Sequence, residues 1–264
     1  MKKKILELRD IHHRFPDSGW ELNFSSFTLF EGEILVIIGP NGSGKSTLLR
    51  LAAGIISPLK GSIRLENKEL KTLKRRKIAK LLGYLPQELG SQYDYTVEEL
   101  VAMGRYSFTN MMGILNNEDM KIIEKTLLLT GLLSLRQRHL SSLSGGERKR
   151  AFLASVLAQE PKVLLLDEPT TALDLHFEIH FFHLLRELAR KNIGIAIVTH
   201  DVNLGSLFAD RLIVMKEGKI LAEGGVTDIL TLKTLHSIYG DEILIEKHPQ
   251  CKRPIILPRI LAER

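Results

Sequence analysis

The residues with the clearest chemistry form a glycine-containing loop near position 40. The loop fits the pattern G-x-x-x-x-G-K-[ST], lies between an apolar run at residues 34–38 and a helical pattern at residues 46–53, and therefore has the context that a phosphate-binding loop requires. Its glycines let backbone N–H groups point at phosphate oxygens, the helix adds its positive end, and a lysine adds a full charge. We predict that a nucleoside triphosphate binds this phosphate loop through Gly39, Pro40, Asn41, Gly42, Ser43, Gly44, Lys45, Ser46 and Thr47.

Two adjacent carboxylates end a second apolar run. Asp167 and Glu168 follow residues 163–166, at the end of a predicted strand, where open α/β sheets bind their ligands. Asp167 would hold Mg²⁺ with the hydroxyl of Ser46, and Glu168 would orient a water molecule beside the γ-phosphate and accept its proton. An acidic helix cap is the alternative interpretation, but it is weak beside a phosphate loop. The pair therefore predicts hydrolysis of the nucleoside triphosphate rather than phosphoryl transfer to a substrate hydroxyl.

A second anion-binding loop is predicted at Ser144, Gly145 and Gly146. These residues precede a helical pattern at residues 147–158 and offer a serine hydroxyl, flexible backbone donors and a positive helix end. Because one nucleotide in one chain does not need two such loops, the second loop indicates a site shared with another molecule.

The elements around these residues predict an α/β fold. Residues 5–38 carry short runs broken by tight turns, which predicts a small β layer, and residues 96–160 are mostly helical by pattern. Capping patterns at Thr96 and Asn116 predict two helix starts in this helical block, where Met111 and Met112 are expected to fill gaps in the core. Residues 163–166 and 193–198 read as buried parallel strands joined by a helix of about 15 residues.

Composition excludes several classes of protein. The 264 residues are 44% hydrophobic and 26% charged, which suits a folded globular chain, and no apolar run approaches the roughly 20 residues of a membrane-spanning helix. An acidic residue interrupts the apolar run after the N-terminal lysines, which argues against a signal peptide and predicts a cytoplasmic protein. Cys251 is the only cysteine, so an intrachain disulfide is excluded. The net charge of +6 suits nucleic acid, ATP phosphates or an anionic membrane, and does not choose among them.

Residues 143–147, Leu-Ser-Gly-Gly-Glu, resemble the LSGGQ signature of ABC ATPases, with Glu147 where glutamine is more usual. Gln87 resembles the Q-loop of that family, residues 172–174 the D-loop and residues 199–201 the H-loop, in the family's order. The resemblance implies a P-loop NTPase (RecA-like) core with an N-terminal antiparallel β layer and an inserted α-helical lobe. It divides one domain into a β layer and phosphate-loop core (1–87), a helical lobe (88–160), a second part of the core (161–236) and a tail (237–264).

The family resemblance also implies residue roles. Gln87 would contact Mg²⁺ or the attacking water and lie where a membrane partner docks, and His200 would hold the γ-phosphate. Asp174 would belong to the nucleotide-binding set. Phe15 sits where the family has an aromatic residue that stacks on adenine, and Trp20 is its rival for that role. The signature loop would face the phosphate loop of a second copy across a head-to-tail homodimer.

Four further stretches resemble the ATPases of iron-siderophore, haem and cobalamin importers: residues 95–106, 172–176, 248–249 and 253–258. The expected partners are a second copy of the chain, transmembrane permease subunits and, indirectly, a substrate-binding protein, with no nucleic acid. The expected place is the cytoplasmic face of the inner membrane, as a peripheral protein. The alternatives are an ABC ATPase serving a transporter of another substrate, or a soluble ABC ATPase that acts on DNA or ribosomes; Glu168 and the signature loop disfavour a small-molecule kinase.

Overall fold

The N-terminal region folds as an antiparallel sheet. The computed structural model describes residues 2–89, 94–109, 113–171 and 173–260. Strand β1 (Lys4–Arg14) pairs with β2 (Glu21–Phe30) on one side and with β4 (Lys60–Leu65) on the other, and β4 continues to the short β5 (Lys68–Glu69). The predicted β layer is confirmed for β1 and β2 and also includes β4 and β5 from beyond residue 38, whereas residues 34–38 belong to the core sheet instead.

A mostly parallel six-stranded sheet forms the core. Its strands are β3 (Ile34–Ile38), β6 (Leu82–Leu85), β7 (Val163–Asp167), β8 (Gly194–Val198), β9 (Arg211–Lys216) and β10 (Lys219–Gly225). Their order in the sheet is β10-β9-β3-β8-β7-β6, and only β10 runs antiparallel to its neighbour. Strands β3, β7 and β8 are buried at every position, as expected of parallel strands covered on both faces.

The carboxyl ends of β3, β7 and β8 meet at one edge of this sheet, because the three strands are adjacent and parallel. The phosphate loop follows β3, Glu168 follows β7 and His200 comes two residues after β8. The topology therefore brings residues that are more than 150 positions apart in sequence to a single edge, where open α/β sheets bind ligands.

Helices cover both faces of the core sheet. They are α1 (Lys45–Ala52), α2 (Arg75–Leu81), α6 (Leu175–Arg190) and α7 (Val202–Phe208). Helix α1 lies one residue from its predicted bounds, and Gly54 beyond it has φ +70°, the left-handed conformation that favours glycine after a helix end.

A separate helical lobe packs around its own apolar cluster, which includes Val97, Val101, Ile123 and Leu127. Its helices are α3 (Val97–Met103), α4 (Asn117–Leu129) and α5 (Gly145–Leu157), and each begins with a capping box, at Thr96, Asn116 and Ser144 respectively. The predicted helix starts at Thr96 and Asn116 are confirmed, whereas α5 starts two residues earlier than expected. Met111 and Met112 lie outside the described residues.

The C-terminal part adds α8 (Val226–Ile229), α9 (Leu232–Tyr239) and a hairpin of β11 (Ile243–Lys247) with β12 (Pro254–Pro258). The Asn203 side chain on α7 donates to Ile256 O and accepts from Ile256 N, which fixes the hairpin on the helix that follows His200. In the part of the chain that the structure describes, no helix combines the length and apolarity needed to cross a membrane.

Candidate functional site

The phosphate loop is shaped by packing from its own chain. Gly44 has φ +99°, and a Cβ added there would lie 2.6 Å from Trp20 Cη2 and 2.8 Å from Leu22 Cδ1. Lys45 is buried, and its Nζ donates to Gly39 O and Pro40 O at 2.8 Å each. Burial lowers the pKa of the Lys45 ammonium, while the nearby charges of Glu168 and Asp167 act in the opposite direction. The loop thus holds a desolvated positive charge, which suits a phosphate ligand.

Asp167 is the acidic partner of the helix that follows the phosphate loop. Ser46 Oγ donates to Asp167 Oδ1 at 3.0 Å, and the other carboxylate oxygen, Oδ2, is buried with no hydrogen-bond partner among the described residues. Burial raises the pKa of the Asp167 carboxyl. A buried, unpaired carboxylate oxygen beside a hydroxyl is the oxygen donor set that Mg²⁺ prefers, so these two residues fit a magnesium ion.

Glu168 contacts two other predicted site residues. Gln87 Nε2 donates to Glu168 Oε2 at 2.8 Å, and His200 Nε2 lies 2.6 Å from Glu168 Oε1. Thr171 Oγ1 also donates to Oε2, at 3.4 Å. The backbone of Glu168 has φ +49°, and its N–H donates to Val198 O on the adjacent strand. This left-handed backbone is uncommon for a residue other than glycine, and it projects the carboxylate toward the phosphate loop side of the sheet edge.

A cleft of about 600 Å³ connects these groups. It is lined by most of the predicted nucleotide-binding and catalytic residues, together with Ser18 and Trp20: Phe15, Asn41, Gly42, Gly44, Lys45, Ser46, Thr47, Gln87, Glu168 and His200. Pro40 and Ser43 line an adjoining cavity, and Ser43 Oγ is buried without a hydrogen-bond partner among the described residues. Gly39 is the first residue of the loop, and its carbonyl oxygen accepts a hydrogen bond from Lys45 Nζ.

Both candidate aromatic residues lie at the cleft, at different depths. The rings of Phe15 and Trp20 have centroids 6.0 Å apart, and the edge of the Trp20 ring packs on Gly44. His13 meets Phe15 edge to face at 4.9 Å. Trp20 thus packs against the phosphate loop, and Phe15 lies beside it at the cleft.

The signature loop does not line this cleft. Ser144 and Gly145 are exposed, and a Cβ added to Gly145 would meet nothing within 4 Å. Ser144 Oγ accepts from Glu147 N at 3.2 Å, and the Glu147 carboxylate accepts from Ser144 N at 2.9 Å. The loop is therefore a preformed, capped helix start that lines no part of its own chain's cleft.

Asp174 also lies outside the cleft. It is exposed and caps α6, accepting a hydrogen bond from Phe177 N at 3.0 Å. Ala172, two residues earlier in the predicted D-loop, lies outside the described residues. The structure therefore gives Asp174 a helix-capping role and does not bring it to the phosphate loop of the same chain.

Sequence reasoning missed two residues that contact Glu168: Thr171 and Lys149. Lys149 lies on α5, is 7% exposed, and donates from Nζ to Glu168 O and to Thr171 O. A signal was present, because Lys149 stands four residues before the buried Leu153 and hence on the buried side of the helix.

Comparisons with known proteins agree with this geometry. Residues 22–171 match the family model of the ABC transporter. The chain is 39% identical over 229 residues to the ferric enterobactin transport ATP-binding protein FepC of Escherichia coli (strain K12), covering 86% of this chain and 84% of that protein. It is 40% identical over 234 residues to the petrobactin import ATP-binding protein FpuC of Bacillus anthracis, covering 88% and 85%.

Solved structures show the same fold. The chain aligns with a metal-chelate type ABC transporter in an inward-facing conformation with a TM-score of 0.83 and 28% identity, covering 97% of this chain and 98% of that one. A dimeric bacterial ABC transporter cassette aligns with a TM-score of 0.73 and 25% identity, covering 84% and 98%. The predicted fold class is confirmed, and the chain belongs to the ABC transporter family as an ATP-binding cassette of the kind that hydrolyses ATP.

Proposed function

We propose that two copies of this chain bind two ATP molecules between them and use their hydrolysis to power a metal-chelate importer through separate permease subunits. The observation that carries the proposal is the separation of two anion-binding loops in one chain. The phosphate loop lines the cleft with Glu168 and His200, whereas the signature loop at Ser144 is exposed and lines none of it.

Within one cleft, the phosphate loop and Lys45 would hold the phosphates of ATP, and Phe15 would stack on the adenine. Ser46 and Asp167 would hold Mg²⁺, with Gln87 as a further contact. The bound ion supplies charge neutralisation on the β- and γ-phosphates. The unpaired Asp167 Oδ2 and Ser43 Oγ support these assignments, because both are buried polar atoms that a metal or phosphate would satisfy.

Glu168 is the candidate base for hydrolysis. Its carboxylate contacts Gln87 and His200 at hydrogen-bond distance, so the three side chains can exchange partners when a γ-phosphate and a water molecule enter. His200 would turn to the γ-phosphate, and the released carboxylate would orient the water and take its proton. The positive charge of Lys45 would stabilise the negative charge on the transferring group.

The signature loop would complete the site of the second copy. Its donors are the hydroxyl of Ser144 and the first N–H groups of α5, which carry the positive end of the helix. A head-to-tail pair has two-fold symmetry and contains two equal composite sites, so each ATP joins two chains. Loss of the γ-phosphate would remove the bridging contact and let the copies separate. In this arrangement Asp174 would lie near the partner's nucleotide.

The names of the relatives support a metal-chelate cargo. FepC is a ferric enterobactin protein, FpuC a petrobactin protein, and a haemin import ATP-binding protein of Escherichia coli O157:H7 is 38% identical over 239 residues. We therefore assign this chain to the import of an iron-siderophore, haem or cobalamin complex. It would lie peripherally on the cytoplasmic face of the membrane, bound to permease subunits and served by a substrate-binding protein.

Purification of the tagged chain from detergent-solubilised membranes tests this proposal. We expect a polytopic membrane protein to co-purify in equal amount, and the ATPase activity of the complex to rise when a binding protein loaded with a ferric siderophore, haem or cobalamin is added. Recovery of ribosomes or DNA in place of a membrane protein would contradict the transport function and favour the soluble alternative.

A further inference from the structure

We infer that Lys149 is a positioning residue for ATP hydrolysis, which ties the backbone of Glu168 to the helix that begins at the signature loop. This inference rests on the proposed role of Glu168 as the base. Lys149 does not line the cleft in which the nucleotide is proposed to bind. Its Nζ contacts the main-chain oxygens of Glu168 and Thr171 instead.

The buried ammonium group of Lys149 needs interactions that compensate for its loss of water. Its side chain is 7% exposed, and burial lowers the pKa of its ammonium group although the charges of Glu168 and Asp167 favour protonation. Removing an ammonium group from water is unfavourable unless hydrogen bonds and charges compensate. Two hydrogen bonds do so here: one to Glu168 O and one of 3.3 Å to Thr171 O. Both acceptors belong to the segment that carries the base.

These contacts fix an unusual backbone. Glu168 has φ +49°, a conformation that is strained for a non-glycine residue and persists only where its surroundings hold it. The N–H of Glu168 is held by Val198 O at 3.0 Å, and its carbonyl oxygen is held by Lys149. The residue is therefore clamped on both sides, by strand β8 and by helix α5. Without Lys149, the backbone of Glu168 would keep its hydrogen bond to Val198 O but lose the one to helix α5.

The clamp sets where the carboxylate lies. The side chain of Glu168 extends from this backbone to Gln87 and His200, at 2.8 and 2.6 Å, so a tilt of the backbone displaces its carboxylate oxygens. A displacement of about 1 Å at a reacting group can lower a rate by about 10²-fold. Loss of the Lys149 hydrogen bonds should therefore act on the chemical step and leave ATP binding in place.

The test is a double-mutant cycle of Lys149→Met with Glu168→Gln, measured in the assembled transporter. We expect Lys149→Met to lower kcat by roughly 10- to 100-fold, with the Kd for ATP and the Tm close to those of the wild type. In the Glu168→Gln background the same change should cause less than about a two-fold further loss of single-turnover rate, because the base that Lys149 positions is already gone. Lys149→Arg keeps the charge and donors and should recover most of the activity.

Lys125→Met is the matched control, because it removes an exposed lysine of helix α4 in the same lobe and should leave kcat unchanged. If Lys149→Met does not fold, Lys149→Gln replaces it in the cycle. The inference is overturned if a folded variant without the ammonium group keeps a kcat within two-fold of wild type, or if ATP affinity falls as much as kcat. A highly active Glu168→Gln variant would instead overturn the proposed function, so the two failures are distinguishable.

Discussion

The two anion-binding loops of this chain sit in opposite surroundings. Around the phosphate loop, a Cβ on Gly44 would collide with Trp20 and Leu22 of the same chain, and Lys45 is buried against the loop's own carbonyls. Around the signature loop, a Cβ on Gly145 would meet nothing within 4 Å, and Ser144 is exposed. One loop is shaped by intramolecular packing, and the other is a preformed helix start on the exposed surface of the chain. Substitutions in the two regions should therefore differ in what they damage.

The largest effect is expected on the side of the phosphate loop, from Glu168→Gln. The substitution keeps the shape of the side chain and one acceptor oxygen but removes its ability to accept a proton, so kcat should fall by at least about 10²-fold while the Kd for ATP stays near the wild-type value. Steady-state ATPase assays and equilibrium binding measure the two quantities. Glu187→Gln on the exposed face of α6 is the control, and a Glu168→Gln kcat within about three-fold of wild type would exclude Glu168 as the base.

Gly44→Ala tests the packing of the phosphate loop. Alanine at position 44 would have to adopt φ +99°, and its Cβ would lie 2.6 Å from Trp20 Cη2. The free energy of unfolding should therefore fall by about 2–4 kcal/mol and the affinity for ATP by about ten-fold. Chemical denaturation measures the first effect. Gly42→Ala shares the left-handed backbone, with φ +74°, but has open space around its Cβ, so it should lose only the smaller backbone contribution. Equal losses in both variants would show that packing on Trp20 is unimportant.

The same substitution in the signature loop should behave differently. Gly145→Ala should leave the Tm of the isolated chain and its Kd for ATP unchanged, because the added methyl group meets no atom of the chain. ATPase activity should nevertheless fall by about ten-fold, since the methyl group lies where the partner's nucleotide must approach. Thermal unfolding, ATP binding and turnover on one preparation separate these effects. Unchanged turnover would remove the signature loop from the active site.

The smallest effect is expected at Glu147, where the family more often has glutamine. Hydrogen bonds from the backbone and side chain of Ser144 lower the pKa of the Glu147 carboxyl, so it is ionised at neutral pH and repels an approaching phosphate. Glu147→Gln keeps the capping box and should lower the KM for ATP by about two- to three-fold, with less difference at high salt. A raised KM would show that the carboxylate assists binding.

The sequence predicts the structure correctly where a chemical motif and a local hydrophobic pattern coincide. The strand before the phosphate loop, the loop itself and the helix after it were all placed to within a residue, because an apolar run, a glycine motif and a helical pattern follow one another directly. The capping boxes at Thr96 and Asn116 were equally local signals.

Features that depend on non-local contacts were missed. Strand β4 joins the N-terminal sheet by pairing with β1 more than 50 residues away, which no local pattern indicates. The left-handed backbone of Glu168 is imposed by Val198 and Lys149 and not by a glycine, so its own residue type gives no signal. The contact of Gln87 and His200 with one carboxylate likewise arises only from the order of the strands in the sheet.

The central claim is that each ATP site combines two chains, and the mass of the Glu168→Gln variant in solution tests it most directly. Light scattering on this variant should give the 29.8 kDa chain mass without nucleotide and twice that mass with ATP and Mg²⁺. Adding Ser144→Arg to the same variant should leave it monomeric while ATP still binds. A Glu168→Gln chain that binds ATP and remains at 29.8 kDa would contradict the account.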